Sequence, residues 1–291
     1  MPNFPIIDTH LHIWDMDRLN YSAFNGHPLF GRSYHIEDFQ KDSAQLDIEA
    51  MVFVECYADF GPTEGQYIQE IELVEESAKR DPRIKGIVPM APLEWGAQVE
   101  PLLKQMQEQH SMVKGIRRIM EFDRDPRALT LSADFIDGVN LLHKFGWHFE
   151  INVNFAQMDI IREFVQHIPN VPMILDHCGK PGIKEGAIKQ YRADIRELAQ
   201  HPNMCIKLSD LPPYADPLNW TENDLRPYID ATVEYFGFDR TIYAGDWPIC
   251  LQATSLTRWV ETLDRVFVDE SAVDLRNFYR NNANKFYRLG L

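Results

Sequence analysis

The sequence predicts a closed (β/α)8 barrel, the TIM barrel of the α/β class, and three observations favour it. Short apolar runs typical of strands alternate with amphipathic helical runs along the whole chain. Eight such apolar runs occur, which is the number of strands in this barrel. The length of 291 residues is ordinary for one barrel with insertions. We therefore expect a single domain over residues 1–291.

An open, doubly wound sheet is the alternative architecture for alternating strands and helices. Such a sheet normally carries a glycine-rich first turn that binds a nucleotide phosphate. The first turn here, THLHIWDMDR at residues 9–18, contains no glycine. No internal repeat or linker interrupts the alternation, so the closed barrel is preferred.

The predicted strands follow one another at regular intervals. Several are nearly continuous apolar runs, as expected for strands that are covered on both faces. In chain order they cover residues 5–13, 50–57, 84–92, 113–120, 148–153, 172–178, 204–211 and 240–248.

Helical periodicity fills the segments between these strands. In the first run, Ile68, Ile71 and Val74 share one face, and acidic residues occupy the others. Ser132 is expected to cap the third run, and Gly146 to end it. The predicted helices cover residues 64–80, 97–110, 132–146, 158–168, 188–201, 225–237, 255–267 and 271–287.

Two connections, residues 15–37 and 209–224, are unusually long. Long loops in compact domains are commonly functional. Both follow strands, which places them at the carboxyl-terminal face of the barrel, where such enzymes bind and react with substrates.

Composition excludes several classes of partner. A formal charge of −15 disfavours nucleic acid and anionic membranes. The four cysteines form no Cys-x-x-Cys pair, which argues against a zinc ribbon or a disulfide framework. We see no signal peptide and no apolar stretch near 20 residues, so a cytoplasmic protein is expected. Its oligomeric state stays open, and a homo-oligomer is compatible with the sequence.

His10 and His12 are the first candidate site residues. Residues i and i+2 of a strand point the same way, so both imidazoles face one point at the end of strand 1. Taken alone, the pair fits two hydrogen-bonded structural histidines equally well. Polar residues at the ends of other strands favour an active site, because a buried charge needs a partner or a purpose. They are Glu55, Arg117, Arg118, Glu150, Asn152, Asp176, His177, Lys207, Ser209 and Asp246.

The motifs DTHLHIWD, VKGIRR, LDHCGKP, IKLSDL and YAGDWP occur in this order, and the resemblance that they carry spans residues 6–288. In this the chain resembles the amidohydrolase superfamily, and within it the amidohydrolase-2 branch. That branch contains sugar lactonases, such as those for fucono- and rhamnono-lactones, and 2-pyrone-4,6-dicarboxylate lactonases. The resemblance implies that Asp246 takes a proton from the attacking water. It also implies that His10, His12 and His177 hold a divalent metal together with Asp246, or polarise the carbonyl themselves.

Strand 5 departs from the metal-dependent pattern of this branch. Its end presents Glu150 and Asn152 where metal-dependent relatives carry a histidine. No strand-4 lysine for a dinuclear centre is evident. Two variants therefore stay open: one divalent metal, zinc or manganese, or a metal-free site in which Arg117, His177 and Lys207 stabilise the oxyanion.

We expect a hydrolase that opens a small lactone, of the kind formed by sugar acids, with Asp246, His177 and Arg117 as catalytic residues. Lys180, Lys207, Trp14, Tyr57 and Asn152 are the candidate substrate-binding residues. Trp14 and Tyr57 could stack on a sugar ring, although aromatic residues at strand ends more often serve packing. A decarboxylase of the same branch, a 2-pyrone-4,6-dicarboxylate lactonase and, least favoured, a non-catalytic sugar-binding barrel are the alternatives.

Overall fold

Eight parallel strands follow one another in chain order in the computed structural model, which describes residues 2–61 and 64–291 without the side chains of residues 64 and 65. The strands are β1 (Ile6–Leu11), β2 (Ile48–Val54), β3 (Ile84–Val88), β4 (Gly115–Arg117), β5 (His148–Ile151), β6 (Met173–Leu175), β7 (Met204–Leu208) and β8 (Thr241–Tyr243). All eight lie within two residues of where the sequence predicted a strand to begin. All eight end earlier than predicted, because the chain leaves the extended conformation where the polar residues start.

The strands form two hydrogen-bonded sheets, β1–β3 and β4–β8. An isolated parallel bridge between Ile87 and Val113 joins the sheets at one seam, and a bridge between Leu11 and Trp247 joins them at the other. At the second seam the Thr9 hydroxyl also donates to the Tyr243 carbonyl oxygen over 2.8 Å. This arrangement has the (β/α)8 architecture that the sequence predicted.

Helices cover the outer face of the strands. They are α1 (Ile36–Asp42), α2 (Glu64–Arg80), α3 (Glu100–Gln109), α4 (Pro126–Thr130), α5 (Ala133–Phe145), α6 (Met158–Phe164), α7 (Ile188–Leu198), α8 (Glu222–Phe236), α9 (Leu256–Val266), α10 (Ala272–Arg276) and α11 (Asn282–Tyr287). The sequence did not predict α1 and α4, which are too short for a clear periodic pattern. One π-helical turn, Asn277–Asn281, joins α10 to α11.

The ends of α5 show how local sequence sets a boundary. The Ser132 hydroxyl accepts from the Phe135 N–H over 3.2 Å and so satisfies a donor that the helix leaves free. Gly146 ends the helix in the left-handed region at φ 66°, which glycine adopts without a side-chain clash. Both predictions are confirmed.

The barrel interior is apolar at its amino-terminal end and charged above it. Ala283 of α11 packs against the inward-facing Ile7, Ile174 and Ile242, so this helix closes the bottom of the barrel. Above that layer the buried side chains include several acids, histidines, an arginine and a lysine. The polar residues are therefore collected at the carboxyl-terminal end, as the sequence indicated.

Among the helices of residues 2–61 and 64–291, none has both the length and the apolar content needed to cross a bilayer.

Candidate active site

An open cavity of about 60 Å³ lies where the strands end at the carboxyl-terminal face. This is the position expected of an active site in a barrel of this class. The cavity has room for a small molecule only. The cavity is lined by His12, Tyr57, Arg117, Asn152, His177, Lys180, Asp210, Tyr214, Asp246 and Ile249.

Half of these lining residues have left-handed backbone conformations. Tyr57, His177, Lys180, Asp210 and Asp246 have φ between 49° and 55°. Such a conformation costs a non-glycine residue about 1–3 kcal/mol, and it persists only where the surrounding structure imposes it. Strain of this kind concentrates at functional sites. Its concentration around one cavity therefore marks this cavity as the functional one.

Asp8 fixes the seam that carries His12 and Asp246. Its Oδ1 accepts from the Gly245 N–H over 2.8 Å and from the His10 N–H over 3.1 Å. The two strands approach so closely that a Cβ on Gly245 would lie 2.3 Å from Asp8 Oδ2. The N–H of His12 also donates to the Trp247 carbonyl oxygen over 2.8 Å. The positions of His12 and Asp246 are thus set by backbone contacts between β1 and the end of β8.

His12 turns one ring nitrogen toward the Val54 carbonyl and the other toward Asp246. Its Nδ1 lies 2.8 Å from the Val54 carbonyl oxygen, and since a carbonyl only accepts, Nδ1 is the donor. This leaves Nε2 to face Asp246 Oδ1 over 3.1 Å. Two acceptors this close require a proton or a cation between them. Within the described chain, the buried Oδ1 has no hydrogen-bond donor.

The charge states of Asp246 and His177 suit a base beside a neutral imidazole. Burial opposes ionisation of Asp246, but the neighbouring His177 and His12 outweigh it and hold the pKa of the carboxyl below its usual range. Burial lowers the pKa of His177 to about 3, against the opposing attraction of Asp246. His177 Nδ1 pairs with the Ser209 hydroxyl over 2.9 Å. His177 is therefore neutral and held in one orientation.

Asp210 completes a pair of carboxyl groups at the cavity. It is buried, and burial followed by repulsion from Asp246 raises its pKa well above the usual range. The environment thus separates the two groups, with Asp246 favouring the ionised form and Asp210 the protonated one.

His10 lies beneath the cavity rather than in its wall. The Arg117 guanidinium is 3.1 Å from its Nε2, and the Lys207 ammonium is 3.0 Å from its Nδ1. Burial and these two cations lower the pKa of His10 well below its usual value. His10 Nε2 is also 3.5 Å from Asp246 Oδ1, so this ring supports Asp246 from below.

A single divalent ion fits the residues around Asp246. One ligand atom each from His10, His177 and Asp246 lie within 4.8 Å of one another. Donors on one tetrahedral zinc ion lie about 3.3 Å apart, and the His12 and His10 nitrogens are 3.1 Å and 3.5 Å from Asp246 Oδ1. The unpartnered Oδ1 of Asp246 points to the same place. Because His10 Nε2 is shared with Arg117, ligation by His10 would require that contact to lengthen.

A second set of metal-type donors, from His10, Glu150 and Asp176, is already filled by Lys207. The ammonium donates to Glu150 over 2.6 Å and lies 3.1 Å from Asp176. Lys207 is fully buried, and the groups that its ammonium contacts lie below the cavity. The sequence predicts that Lys207 binds substrate or stabilises its oxyanion, whereas the structure places it below the cavity and not in its wall. Its role is to hold His10 and the two acids.

Arg117 lines the cavity, and contacts with residues outside the cavity wall hold its guanidinium in place. Its Nε donates to Glu55 Oε1 over 2.8 Å, and one terminal nitrogen donates to the Glu55 carbonyl oxygen over 2.6 Å. The other terminal nitrogen lies 3.1 Å from both Asp176 and His10. Of its five N–H groups, at least one, on the nitrogen that donates to the Glu55 carbonyl oxygen, is left without a partner among the described residues.

Trp14 is the second predicted substrate residue that lies elsewhere. It has no exposed surface, and its ring packs among those of Tyr21, Phe24 and Tyr34. Its indole N–H donates to the Arg32 carbonyl oxygen over 2.7 Å. Trp14 is therefore the core of the 15–37 loop, which folds around it. The pattern of the predicted strands does not show how the 15–37 loop folds, so it could not show that rings of this loop bury Trp14.

The sequence missed Asp210, Tyr214 and Ile249, which also line the cavity. Alternation along strand 7 placed Lys207 and Ser209 inward and left Asp210 out. However, β7 ends at Leu208, and Asp210 has φ 51°, so alternation does not apply to it. The available signal was the long 209–224 loop, which supplies Asp210 and Tyr214. Tyr57, Asn152 and Lys180 line the cavity at the strand ends where they were predicted.

Comparison with known proteins agrees with this geometry. The family model described as amidohydrolase matches residues 7–289. An L-rhamnono-gamma-lactonase of Scheffersomyces stipitis is 26% identical and aligns with 99% of this chain and 100% of its own. An L-fucono-1,5-lactonase of Burkholderia multivorans is 27% identical over 88% of each chain.

Among solved structures, an amidohydrolase from Burkholderia multivorans with bound zinc superimposes with a TM-score of 0.86. The match covers 98% of this chain and 99% of that one, at 24% identity. The family match spans nearly the whole chain and confirms the resemblance seen in the sequence motifs. The chain belongs to the amidohydrolase family.

Proposed function

We propose that this enzyme hydrolyses the lactone of a sugar acid by attack of water on the ring carbonyl. One observation carries the proposal: Asp246 is an ionised, buried carboxylate in the cavity, next to His12 Nε2 and the neutral His177. A binding site for neutral sugars needs no such base. The curated relatives named as rhamnono- and fucono-lactonases support the same reaction class.

In the proposed mechanism Asp246 orients a water molecule and takes its proton as the water attacks. A general base must lie within hydrogen-bond reach of the water and be ionised, and Asp246 meets the second condition because its pKa is lowered. His12 and His177 hold the carboxylate in place from two sides. The remaining N–H of Arg117 is available for the oxygen on which negative charge develops.

We propose that one divalent ion, zinc by analogy with the related barrel crystallised with that metal, is held by His10, His177 and Asp246, with His12 as the fourth candidate ligand. Such an ion would polarise the lactone carbonyl as a Lewis acid.

The charges around the cavity favour a neutral, hydroxyl-rich lactone over a dicarboxylate. A dianionic pyrone would need free cations, and the sequence offers four candidates at the strand ends. In the described chain each of them is already paired with a carboxylate. Arg117 pairs with Glu55, Arg118 with Glu94 and Asp123, Lys180 with Glu121, and Lys207 with Glu150.

The substrate test is acid release, followed with a pH indicator, from a panel of aldonolactones and from 2-pyrone-4,6-dicarboxylate. We expect turnover of at least one aldonolactone and little or none of the pyrone. Asp246→Asn should lower kcat by about 10³-fold or more while the circular dichroism spectrum is retained. Chelation followed by zinc return should abolish and restore activity if the ion is required.

Release of CO2 from a ring carboxylate, with no lactone turned over by the folded protein, would replace this proposal with decarboxylation. Near-normal kcat in Asp246→Asn would refute the assignment of the base.

A further inference from the structure

We propose that Glu121 sets the charge class of the substrate by masking Lys180, so that the site accepts neutral lactones and rejects carboxylated ones. The inference rests on the proposed lactone hydrolysis and concerns the same cavity. Glu121 follows β4 and is not itself a lining residue. It acts through Lys180, which is.

The Lys180 ammonium has fewer hydrogen-bond partners than the Arg117 guanidinium, which is the other cation at the cavity wall. Lys180 is 7% exposed, and its backbone N–H donates to the His177 carbonyl oxygen over 2.8 Å. Its side chain therefore starts from a fixed point next to a proposed catalytic residue. The ammonium donates to Glu121 Oε2 and, over 3.1 Å, to Asn152 Oδ1.

Glu121 is held in this pairing from its other side. Its Oε1 accepts from the Asn154 side-chain amide over 3.4 Å, and its carbonyl oxygen accepts from the Gln157 side-chain amide over 3.0 Å. Asn154 and Gln157 are themselves joined in a capping box at the turn after β5. The carboxylate is thus fixed to both the backbone turn and the ammonium, which distinguishes it from a mobile surface ion pair.

The Phe122 ring borders the same ammonium. The Lys180 Nζ lies 5.6 Å from its centroid, and the Tyr57 ring lies 5.8 Å from it on the cavity side. Phe122 is nevertheless 66% exposed, so the segment after β4 places a carboxylate and an aromatic ring at the rim.

This pairing has different consequences for neutral and anionic groups. An ammonium has three hydrogens, and two are taken by Glu121 and Asn152. A substrate hydroxyl can accept the third without opposing any charge. A substrate carboxylate would meet Glu121 at close range, with the ionised Asp246 also lining the cavity. Two negative charges that lie close together in a partly buried site repel each other strongly enough to reject an anion.

Removing the Glu121 charge should therefore convert Lys180 into an anion site. The probe is isophthalate, a planar ring dianion that is not a lactone, and its binding is measured by titration calorimetry on the metal-replete enzyme. In Glu121→Gln we expect the Kd for isophthalate to fall by about 10-fold or more. The gain should disappear in the double variant Glu121→Gln, Lys180→Met.

The matched control is Asp123→Asn, on the same segment. Asp123 pairs with Arg118 and leaves Lys180 untouched. This variant should bind isophthalate as weakly as the unaltered enzyme. Glu121→Ser, with the same expectation, serves if Glu121→Gln does not fold by circular dichroism.

Specificity provides the second readout. In Glu121→Gln, the ratio of kcat/KM for 2-pyrone-4,6-dicarboxylate to kcat/KM for an aldonolactone should rise by about 10-fold. Unchanged isophthalate affinity in the folded variant, or a gain that survives Lys180→Met, would overturn the role of Glu121. Isophthalate binding needs no turnover. A gain in binding without any lactonase activity would therefore retain the role of Glu121 in excluding anions and reject lactone hydrolysis.

Discussion

Lys207 donates to the Glu150 carboxylate over 2.6 Å, and both side chains are fully buried inside the barrel. The same ammonium lies 3.0 Å from His10 Nδ1. Buried carboxylates need a compensating cation, and here that cation is part of the chain. The ion pair therefore connects the charged interior to the ring that supports Asp246 from below.

Replacing Lys207 should damage both stability and catalysis. Lys207→Met keeps most of the side-chain volume but leaves Glu150 and Asp176 without their shared cation, which typically costs about 3–5 kcal/mol. We expect a lower urea midpoint and a loss of kcat, because His10 loses its fixed position. Lys189→Met, at an exposed position of α7, is the control. An unchanged midpoint in Lys207→Met would show that the buried acids are neutralised in another way.

The rate should be insensitive to mild acid. Asp246 has a lowered pKa and His177 one of about 3, so from about pH 5 upward the base is ionised and the imidazole neutral. A plot of kcat/KM against pH should therefore be flat between about pH 5 and 7. An acidic limb in that range that disappears in Asp210→Asn would identify Asp210 as the titrating base instead.

Glu70 in α2 should make the fold less stable as the pH rises. It is fully buried, its Oε1 accepts from the Cys56 N–H over 3.3 Å, and its Oε2 has no partner in the part of the chain described. Burial, followed by repulsion from Glu55, raises its pKa well above 4.5. The folded state thus binds a proton that the unfolded state has lost, and stability falls as pH rises from the unfolded pKa to the folded one.

Glu70→Gln removes this ionisation and keeps an acceptor for Cys56. The variant should gain stability over the unaltered protein between about pH 5 and pH 8, by about 1.4 kcal/mol for each unit of pKa shift. Urea unfolding at the two pH values measures it. An equal change with pH in both proteins would contradict the buried proton.

Gly138 in α5 should resist replacement by a better helix former. Alanine favours a helix over glycine by about 1 kcal/mol. At Gly138, however, a Cβ would lie 2.0 Å from the Leu93 carbonyl oxygen, so the helix would have to move. We expect Gly138→Ala to lower the free energy of unfolding by about 1–3 kcal/mol. A higher urea midpoint would show that the Leu93 segment yields.

Gly146→Ala provides the comparison for that variant. No described atom lies within 4 Å of its Cβ position, but its φ is 66°. It should cost about 1 kcal/mol through backbone strain alone.

The sequence predicted the order of all eight strands because apolar runs and helical periods reflect burial directly. It predicted where they end less well. The apolar run 172–178 predicts one strand, but β6 ends at Leu175. The strand cannot continue because His177 and Cys178 have φ of 51° and 55°. Periodicity carries no information about such left-handed residues, and they supply much of the site.

The candidate site was likewise predicted in part. His12, Arg117, His177 and Asp246 reach the cavity because each lies at or just beyond a strand end. Trp14 and Lys207 lie near strand ends too, yet contacts from distant segments bury them. A pattern along one strand cannot show which partner a side chain meets, and this also explains why the masking of Lys180 by Glu121 was not foreseen.

The seam between β1 and β8 has a consequence for biosynthesis. His12 and Asp246 meet where the His12 N–H donates to the Trp247 carbonyl oxygen, more than two hundred positions along the chain. A ribosome releases β1 long before β8, at about 5–20 residues per second. During this interval the edge of β1 opposite β2 has no partner, and an unpaired strand edge is a template for aggregation. The nascent chain is thus both inactive and exposed until its last strand emerges, and the demand for chaperones should be greatest in that interval.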